Sequence, residues 1–399
     1  MKSTRKYLLV VPDGVADLPL PALGNKTPLE MALTPHMDRL VRQGKLGRVQ
    51  TVPKELPSGS DVACMSLLGY DPRRYYTGRA PLEAVSQGIL LEENQVVFRC
   101  NLVTVQQGKM QDYSAGHISS EEAKAIIDTL QQKLGSGRFH FYSGVQYRHL
   151  LLTEGYREVQ CTPPHDIAGK EIAPYLPQGD GAGDLKELME RSAQILTHHP
   201  INQKRAKEGK APATQIWLWG QGTRPAMPSF ETQYRLSGSV ISAVDLVRGV
   251  GASVGLEVLD VAGATGYFDT NYRGKAEAAL ATLSKKDFVF VHVEATDEAG
   301  HMGDVRLKIK AIEDFDRLLV GTLLEGIARF KEVSILLLPD HATSTAIRTH
   351  THDAVPFVVC GTGVAANGFS AYNETEAAQS GLWIGEGFTL MKRFLERGF

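Results

Sequence analysis

Two kinds of apolar pattern alternate along the chain, and their order predicts an α/β protein. Short runs with apolar side chains at nearly every position, such as Tyr7–Val11, predict strands buried on both faces of a parallel sheet. Longer segments with apolar residues three and four apart predict amphipathic helices. Their alternation in the second half of the chain predicts a doubly wound sheet. The predicted series is helix Asp184–Thr197, strand Gln215–Trp219, helix Val240–Val250, strand Leu256–Val258, helix Lys275–Leu283, strand Phe288–Val293, helix Val305–Phe330, strand Val333–Leu338 and strand Val355–Val359.

The pattern changes between about residues 80 and 180. Shorter alternating segments there predict the strands Gln95–Val105, Phe139–Tyr142 and His149–Thr153, together with a helix at Ser120–Leu134. We therefore expect an α/β domain, residues 1–77 and 179–399, interrupted by a smaller inserted α+β domain, residues 78–178. Hinges between these domains are expected near Thr77–Gly78 and Gly179–Gly183.

Length and composition support this organisation and exclude several classes of partner. A chain of 399 residues is long enough for about two domains. Its net charge is only −2 and it has no long basic block, which argues against nucleic acid or an anionic membrane as a partner. The first apolar run ends at Pro12, too early for a membrane span, so we expect a cytoplasmic protein. Its scattered cysteines predict reduced thiols and no disulfide framework: Cys64, Cys100, Cys161 and Cys360.

Carboxylates and histidines follow several of the predicted strands. Asp13 follows the first strand, and Asp340-His341 follows a strand near the other end of the chain. Because parallel sheets place ligands at the carboxyl ends of their strands, these acids are expected to meet. Asp297 and His301 are four residues apart and can share one helical face, although such a pair can also be a surface interaction. With His350 and His352, the chain has enough ligands for two divalent cations.

Ser60 lies where a polar loop gives way to the apolar stretch Val62–Leu68, so it is expected at or near a helix N-terminus. Serine at such a position can simply cap the helix. The unpaired amides of a helix N-terminus also favour a bound phosphate, and a cation could activate the hydroxyl without a histidine base. Ser60 is therefore a candidate nucleophile.

Eight short motifs together resemble the archaeal-type 2,3-bisphosphoglycerate-independent phosphoglycerate mutases, which belong to the alkaline phosphatase superfamily. The resemblance implies an alkaline-phosphatase-like doubly wound sheet and interconversion of 3- and 2-phosphoglycerate through a phosphoserine, without 2,3-bisphosphoglycerate. The motifs are Val11-Pro12-Asp13-Gly14, Ser58-Gly59-Ser60-Asp61, Leu68-Gly69-Tyr70-Asp71-Pro72, Tyr76-Thr77-Gly78-Arg79, Phe98-Arg99-Cys100-Asn101, Gly263-Ala264-Thr265-Gly266-Tyr267, the segment from Glu294 to His301, and Pro339-Asp340-His341.

The resemblance also implies roles for the candidate residues. One cation would be held by Asp13, Ser60, Asp340 and His341, with Ser60 as the nucleophile. The other would be held by Asp297, His301 and a later histidine. Counting back from Val355-Pro356 selects His350 for that position, which leaves His352 as a substrate-binding or loop residue. Manganese is the expected ion, and zinc, cobalt and magnesium are alternatives because mixed histidine and carboxylate sites discriminate poorly.

The expected substrate is a small phosphorylated three-carbon acid, and guanidinium groups are suited to bind its anionic ends. Candidate substrate-binding residues are Arg79, Arg99, Asp112, His117, Arg148, Lys275 and His352. The segment Asp112-Tyr113-Ser114-Ala115-Gly116-His117 departs from the Asp-Arg-Arg-Ala-Gly-Arg usual in the family and lacks up to three arginines. A homoserine kinase using the same metal and serine site is therefore an alternative, and a non-catalytic, metal-stabilised binding protein is a third. The pattern does not specify an oligomeric state.

Overall fold

The predicted strands form two main sheets in a computed structural model of the chain, which describes residues 5–396 and 398–399. Short 3₁₀ turns lie at Pro21–Leu23, Pro164–Ile167, Ala173–Tyr175 and Ile327–Arg329, and a π-helical segment lies at Phe315–Val320. The strands are β1 (Arg5–Pro12), β2 (Lys45–Val49), β3 (Gln95–Gln106), β4 (Lys109–Asp112), β5 (Phe139–Tyr142), β6 (Arg148–Glu154), β7 (Gln215–Gly222), β8 (Gly238–Ile241), β9 (Glu257–Leu259), β10 (Phe288–Val293), β11 (Glu332–Leu337), β12 (Ala342–Ser344), β13 (Thr349–Thr351), β14 (Val355–Gly361) and β15 (Trp383–Ile384). The helices are α1 (Pro28–Met31), α2 (Pro35–Gln43), α3 (Ser60–Leu67), α4 (Pro72–Tyr75), α5 (Arg79–Ser86), α6 (Ser120–Leu134), α7 (Ala182–Thr197), α8 (Pro200–Lys207), α9 (Phe230–Tyr234), α10 (Asp245–Ser253), α11 (Tyr272–Leu283), α12 (Ala295–Met302), α13 (Val305–Asp314), α14 (Gly321–Gly326), α15 (Glu374–Gln379) and α16 (Phe388–Glu396).

The first unit comprises the chain up to Tyr76 and from Ala226 onward, and it contains an eight-stranded sheet. The strand order is β15-β2-β14-β11-β1-β10-β8-β9. Strand β1 pairs in parallel with β10 on one side and β11 on the other. Every residue of β10 is buried, as expected of a central strand. The doubly wound α/β prediction is confirmed, although β14 is antiparallel to both β11 and β2, so the sheet is mixed.

The second unit comprises Thr77–Pro225 and contains an antiparallel sheet built around β3. Strand β3 pairs with both β6 and β7 over most of its length and with β4 at its end, from Thr104 to Gln106. This unit ends later than the expected boundary at residue 178. The reason is that β7 joins β3, with Leu218 opposite Cys100, and α7 packs against β7. Both elements had been expected in the α/β domain.

Two predicted helices differ from the structure. The predicted helix Val240–Val250 divides into β8 and α10, because Val240 and Ile241 pair with Phe290 and Val291 of β10. The predicted helix Val305–Phe330 is interrupted by the π-helical segment. There the buried Asp316 accepts hydrogen bonds from main-chain amides of the first turn of α2, at 2.7 and 3.2 Å.

The state of the cysteines agrees with the prediction from the sequence. All four cysteines are free, as predicted. No helix within the described part of the chain is both long and apolar enough to cross a membrane.

Candidate metal and nucleophile site

Neighbouring parallel strands bring the candidate ligands of the first unit together. Asp13 follows β1, Asp340 and His341 follow β11, and α12 carries Asp297 and His301 after β10. Because β1 lies between β10 and β11 with all three parallel, their carboxyl ends are adjacent. The meeting of distant acids expected from the sequence therefore follows from the strand order.

The first group of candidate ligands, here called the nucleophile cluster, comprises Asp13, Ser60, Asp340 and His341. Ser60 is the first residue of α3, and its hydroxyl oxygen lies 3.1 Å from Nε2 of His341 and 3.4 Å from Oδ2 of Asp13. Asp13, Asp340 and His341 are almost completely buried, and their ligand atoms lie within 4.8 Å of one another. Four side chains able to bind a cation thus converge at a helix N-terminus.

The second group, here called the histidine cluster, comprises Asp297, His301 and His350. Nε2 of His301 lies 3.2 Å from Oδ2 of Asp297 and 2.9 Å from Nε2 of His350. His350 lies on β13, and its Nδ1 contacts the main-chain oxygen of Ser58 at 2.9 Å. His352 is exposed, and its Nε2 contacts the main-chain oxygen of Leu56 at 2.9 Å. Of the two candidate histidines, His350 is the one grouped with Asp297 and His301.

The carboxylates of these clusters have pKa values and unsatisfied oxygens that are suited to binding divalent cations. Burial and the charges of Asp340 and Glu294 raise the pKa of Asp13 well above its usual value. Burial also opposes ionisation of Asp297, but hydrogen bonds with His301 and His350 outweigh it and hold the pKa of Asp297 well below its usual value. Oδ1 of Asp13 and Oδ2 of Asp340 are buried and have no hydrogen-bond partner among the residues that the structure describes. Buried carboxylate oxygens are rarely left unsatisfied, and mixed carboxylate and imidazole donors suit manganese, zinc or cobalt.

Sequence reasoning missed His292 and Glu294. Nε2 of His292, which is fully buried on β10, lies 2.9 Å from Oδ2 of Asp13 and 3.9 Å from Oε2 of Glu294. Burial raises the pKa of Glu294 to about 8 and lowers that of His292 to about 4. The available signal was a histidine inside an apolar strand. Lys275 lies nearby, 1% exposed, with its ammonium donating to the main-chain oxygen of His292 at 3.1 Å, and burial lowers its pKa to about 8.

Three candidate arginines lie in the second unit. Arg99, on β3, forms two contacts of 2.9 and 3.0 Å with the carboxylate of Glu83, and its guanidinium lies 4.3 Å from the ring centre of Trp219. Burial lowers the pKa of Arg99, Glu83 opposes that change, and the nearby charges of Arg79 and Arg148 lower it further. The guanidinium groups of Arg79 and Arg148 are therefore near enough to Arg99 to affect its pKa, while Glu83 offsets the charge of Arg99. His165 also lies near Arg99, because the centre of its ring is 5.2 Å from the ring centre of Trp219. It was not among the residues selected from the sequence.

Asp112 and His117 belong to a loop that is held by hydrogen bonds between its own residues. The carboxylate of Asp112 accepts three hydrogen bonds of 2.7 Å, from the amide and hydroxyl of Ser114 and from the amide of Gly116. His117 is exposed and has a positive φ of 49°. Arg205 holds the loop from the other side through the main-chain oxygen of Ala115 at 2.7 Å. Asp112 thus caps this turn.

Comparisons with known proteins agree with these motifs. The 2,3-bisphosphoglycerate-independent phosphoglycerate mutase family matches residues 41–202. A protein of that name from Methanothrix thermoacetophila is 50% identical over 388 residues, covering 97% of this chain and 98% of the relative. This chain belongs to that family. A probable member from Geobacter sulfurreducens is 49% identical over 401 residues, covering 98% of this chain and all of the relative.

Solved structures of similar proteins support the same family membership. A protein from Pyrococcus horikoshii is 32% identical and superposes with a TM-score of 0.84, covering 98% of both chains. The cofactor-independent phosphoglycerate mutase from Thermoplasma acidophilum is 28% identical with a TM-score of 0.68, covering 98% of this chain and 99% of the other. The resemblance inferred from the motifs is therefore confirmed.

Proposed function

We propose that this mutase-family chain interconverts 3-phosphoglycerate and 2-phosphoglycerate through a phosphoserine on Ser60, at a site that holds two divalent cations. The observation that carries this proposal is the position of Ser60. Its hydroxyl lies at the start of α3, within 3.1–3.4 Å of side chains from two different strand ends. The amides of a helix N-terminus stabilise a phosphoryl group, and the convergent ligands fit a cation at the nucleophile.

The reaction consists of two opposite transfers. Oγ of Ser60 loses its proton and bonds to phosphorus, and the bond between phosphorus and the substrate oxygen breaks, so that glycerate is released as an alcohol after that oxygen takes up a proton. Glycerate then reorients, and its other hydroxyl takes the phosphoryl group back from Ser60 while losing a proton. The cations, manganese in our proposal, would lower the pKa of the serine hydroxyl and offset charge on the phosphoryl oxygens. No 2,3-bisphosphoglycerate is required, because the phosphoryl group is stored on the protein.

Several of the candidate residues are proposed to bind the substrate. The guanidinium groups of Arg79, Arg99 and Arg148 suit a carboxylate, because such groups bind planar anions well. Lys275 is proposed to offset negative charge near Glu294. For Asp112 we propose a supporting role, because its oxygens already accept bonds from its own loop.

The test is a comparison of Ser60→Ala with Ser66→Ala, which changes a second serine of the same helix. With Mn²⁺ present, Ser60→Ala should abolish interconversion and the phosphorylated protein species seen by intact mass spectrometry, and it should retain most of the bound cation. Ser66→Ala should keep both signals. Undiminished turnover in Ser60→Ala would exclude Ser60 as the nucleophile. A parallel assay of homoserine with a phosphoryl donor tests the alternative kinase. Phosphorylation of homoserine without phosphoglycerate interconversion would replace the proposed substrate.

A further inference from the structure

Thr343 is a buried threonine of β12 whose hydroxyl contacts a residue of each cluster. Its Oγ1 lies 2.5 Å from Oδ1 of Asp297, in the histidine cluster. The same oxygen lies 3.2 Å from Nδ1 of His341, in the nucleophile cluster. Thr343 itself is 0% exposed, so no solvent competes for these bonds. One hydroxyl therefore connects the two groups of candidate ligands.

The main chain of Thr343 is held so firmly that the direction of its hydroxyl is fixed. Its amide donates to the main-chain oxygen of Ala16 at 3.0 Å, and its carbonyl accepts from the ammonium of Lys308 at 2.5 Å. Neighbouring glycines leave room for the side chain. A Cβ atom on Gly14 would lie 2.3 Å from Oγ1 of Thr343, and one on Gly300 would lie 2.7 Å from its methyl group.

The position of the hydroxyl proton follows from its two partners. Asp297 is ionised when it binds a cation, and a carboxylate can only accept a hydrogen bond. Oγ1 must therefore donate its single proton to Asp297, which leaves it only lone pairs to offer to His341. The opposite arrangement would place Oγ1 and Oδ1 at 2.5 Å with no proton between them. That arrangement is repulsive, so Nδ1 of His341 must be the protonated ring nitrogen.

We propose that Thr343 is a positioning residue that fixes the tautomer of His341 and couples the two cation sites. With Nδ1 protonated, Nε2 of His341 keeps its lone pair. That atom faces Oγ of Ser60 at 3.1 Å and Oδ1 of Asp13 at 3.5 Å, where a cation would bind. The inference rests on the proposed two-cation site. It adds a residue that is not itself one of the proposed ligands.

The test compares variants that separate the hydroxyl from the shape of the side chain. Thr343→Val keeps the shape and removes the hydroxyl, whereas Thr343→Ser keeps the hydroxyl. Thr345→Val is a matched control, because Thr345 is a buried threonine two residues away whose hydroxyl has no hydrogen-bond partner in residues 5–396 and 398–399. Mn²⁺ binding to chelator-treated protein is measured by titration calorimetry. Loss of such supporting hydrogen bonds typically weakens metal binding about 10–100-fold, and we expect that loss at both sites in Thr343→Val.

Thr343→Ser and Thr345→Val should bind Mn²⁺ within about threefold of the unchanged protein, well below the loss that a broken supporting bond causes. Binding in Thr343→Val that equals the unchanged protein would overturn the inference. If the unchanged protein itself binds no cation, the proposed function fails instead, so the two failures are distinguishable. Excess Mn²⁺ should restore turnover in Thr343→Val, since the variant retains every ligand.

A spectroscopic measurement on the unchanged protein does not depend on any variant folding. Nitrogen-15 NMR of histidine-labelled, Zn²⁺-loaded protein reports which ring nitrogen of His341 carries the proton. We expect a protonated, slowly exchanging Nδ1 and a metal-bound Nε2. A protonated Nε2, or zinc bound at Nδ1, would refute the assignment of Thr343.

Discussion

The buried ion pair between Lys308 and Asp17 should determine much of the stability of the first unit. Both side chains are 0% exposed, and Nζ of Lys308 lies 3.0 Å from Oδ2 of Asp17. The same ammonium donates to the main-chain oxygens of Ala16 and Thr343, at 3.3 and 2.5 Å. Ala16 lies shortly after Asp13, and Thr343 lies on β12 shortly after Asp340 and His341, so this one side chain joins the two segments that carry these three ligands.

Substituting Lys308→Met removes the charge and keeps most of the volume. Asp17 would then be a buried carboxylate with only main-chain donors, the amides of Leu18 and Thr345. Removing one partner of a buried ion pair costs about 3–5 kcal/mol, because the remaining charge is left uncompensated. A domain is stable by only about 5–15 kcal/mol, so we expect a large shift of the unfolding midpoint.

The control is the double variant Asp17→Asn/Lys308→Met, which removes both charges of the ion pair. It should be more stable than Lys308→Met alone, since residues in direct contact show coupling energies of about 0.5–3 kcal/mol. Urea unfolding followed by circular dichroism measures both variants. A loss below about 1 kcal/mol in Lys308→Met, far short of the cost of an unpaired buried charge, would refute this reasoning. So would a double variant less stable than the single one.

Three further predictions test the site and the second unit. Chelation should lower the melting temperature, because a ligand at a hundred times its Kd stabilises the folded state by about 2.7 kcal/mol, and equal melting with and without Mn²⁺ would argue against the cation site. His350→Ala should lose more bound metal than His352→Ala in elemental analysis, and the reverse order would exchange their roles. Burial lowers the pKa of His149 from 6.5 to about 3, so the folded state cannot take up a proton that the unfolded chain binds. Stability should therefore fall as pH drops below 6.5, by about 1.4 kcal/mol per unit from this group. Urea unfolding across that pH range should show a flatter profile for His149→Gln, and an unchanged slope would contradict the assignment.

Strand ends were the part of the site that local sequence could predict. Asp13 and Asp340 each follow a run of apolar residues, and the parallel pairing of β1 with β11 brings those ends together. His292 was not predicted as a site residue, because it lies inside β10 and not at its end. A single histidine among apolar neighbours leaves the strand pattern intact. Periodicity identifies a buried strand, but it does not reveal which inward side chain reaches a neighbouring loop.

The boundary between the units could not be predicted from local pattern. Strand β7 and helix α7 have the same apolar periodicity as the elements of the first unit that follow them, yet β7 pairs with β3. Which sheet a strand joins depends on long-range pairing, which no short window of sequence contains. The helix predicted from Val240 was wrong for a different reason. A short apolar run is compatible with either a strand or a buried helix.

The loop from Asp112 to His117 shows why counting charged residues in a motif is a poor guide to anion binding. The carboxylate of Asp112 accepts the hydroxyl of Ser114 and the amides of Ser114 and Gly116, each at 2.7 Å, so the loop is held without an arginine side chain. Arg99 binds both oxygens of Glu83 through Nε and Nη2 and stacks on Trp219, so an anion would have to bind through its other N–H donors. Arg148, exposed at the start of β6, has no such partner carboxylate among the described residues. Anion binding by this unit therefore depends on which of its guanidinium groups have no partner carboxylate, and not on the number of arginines in a motif.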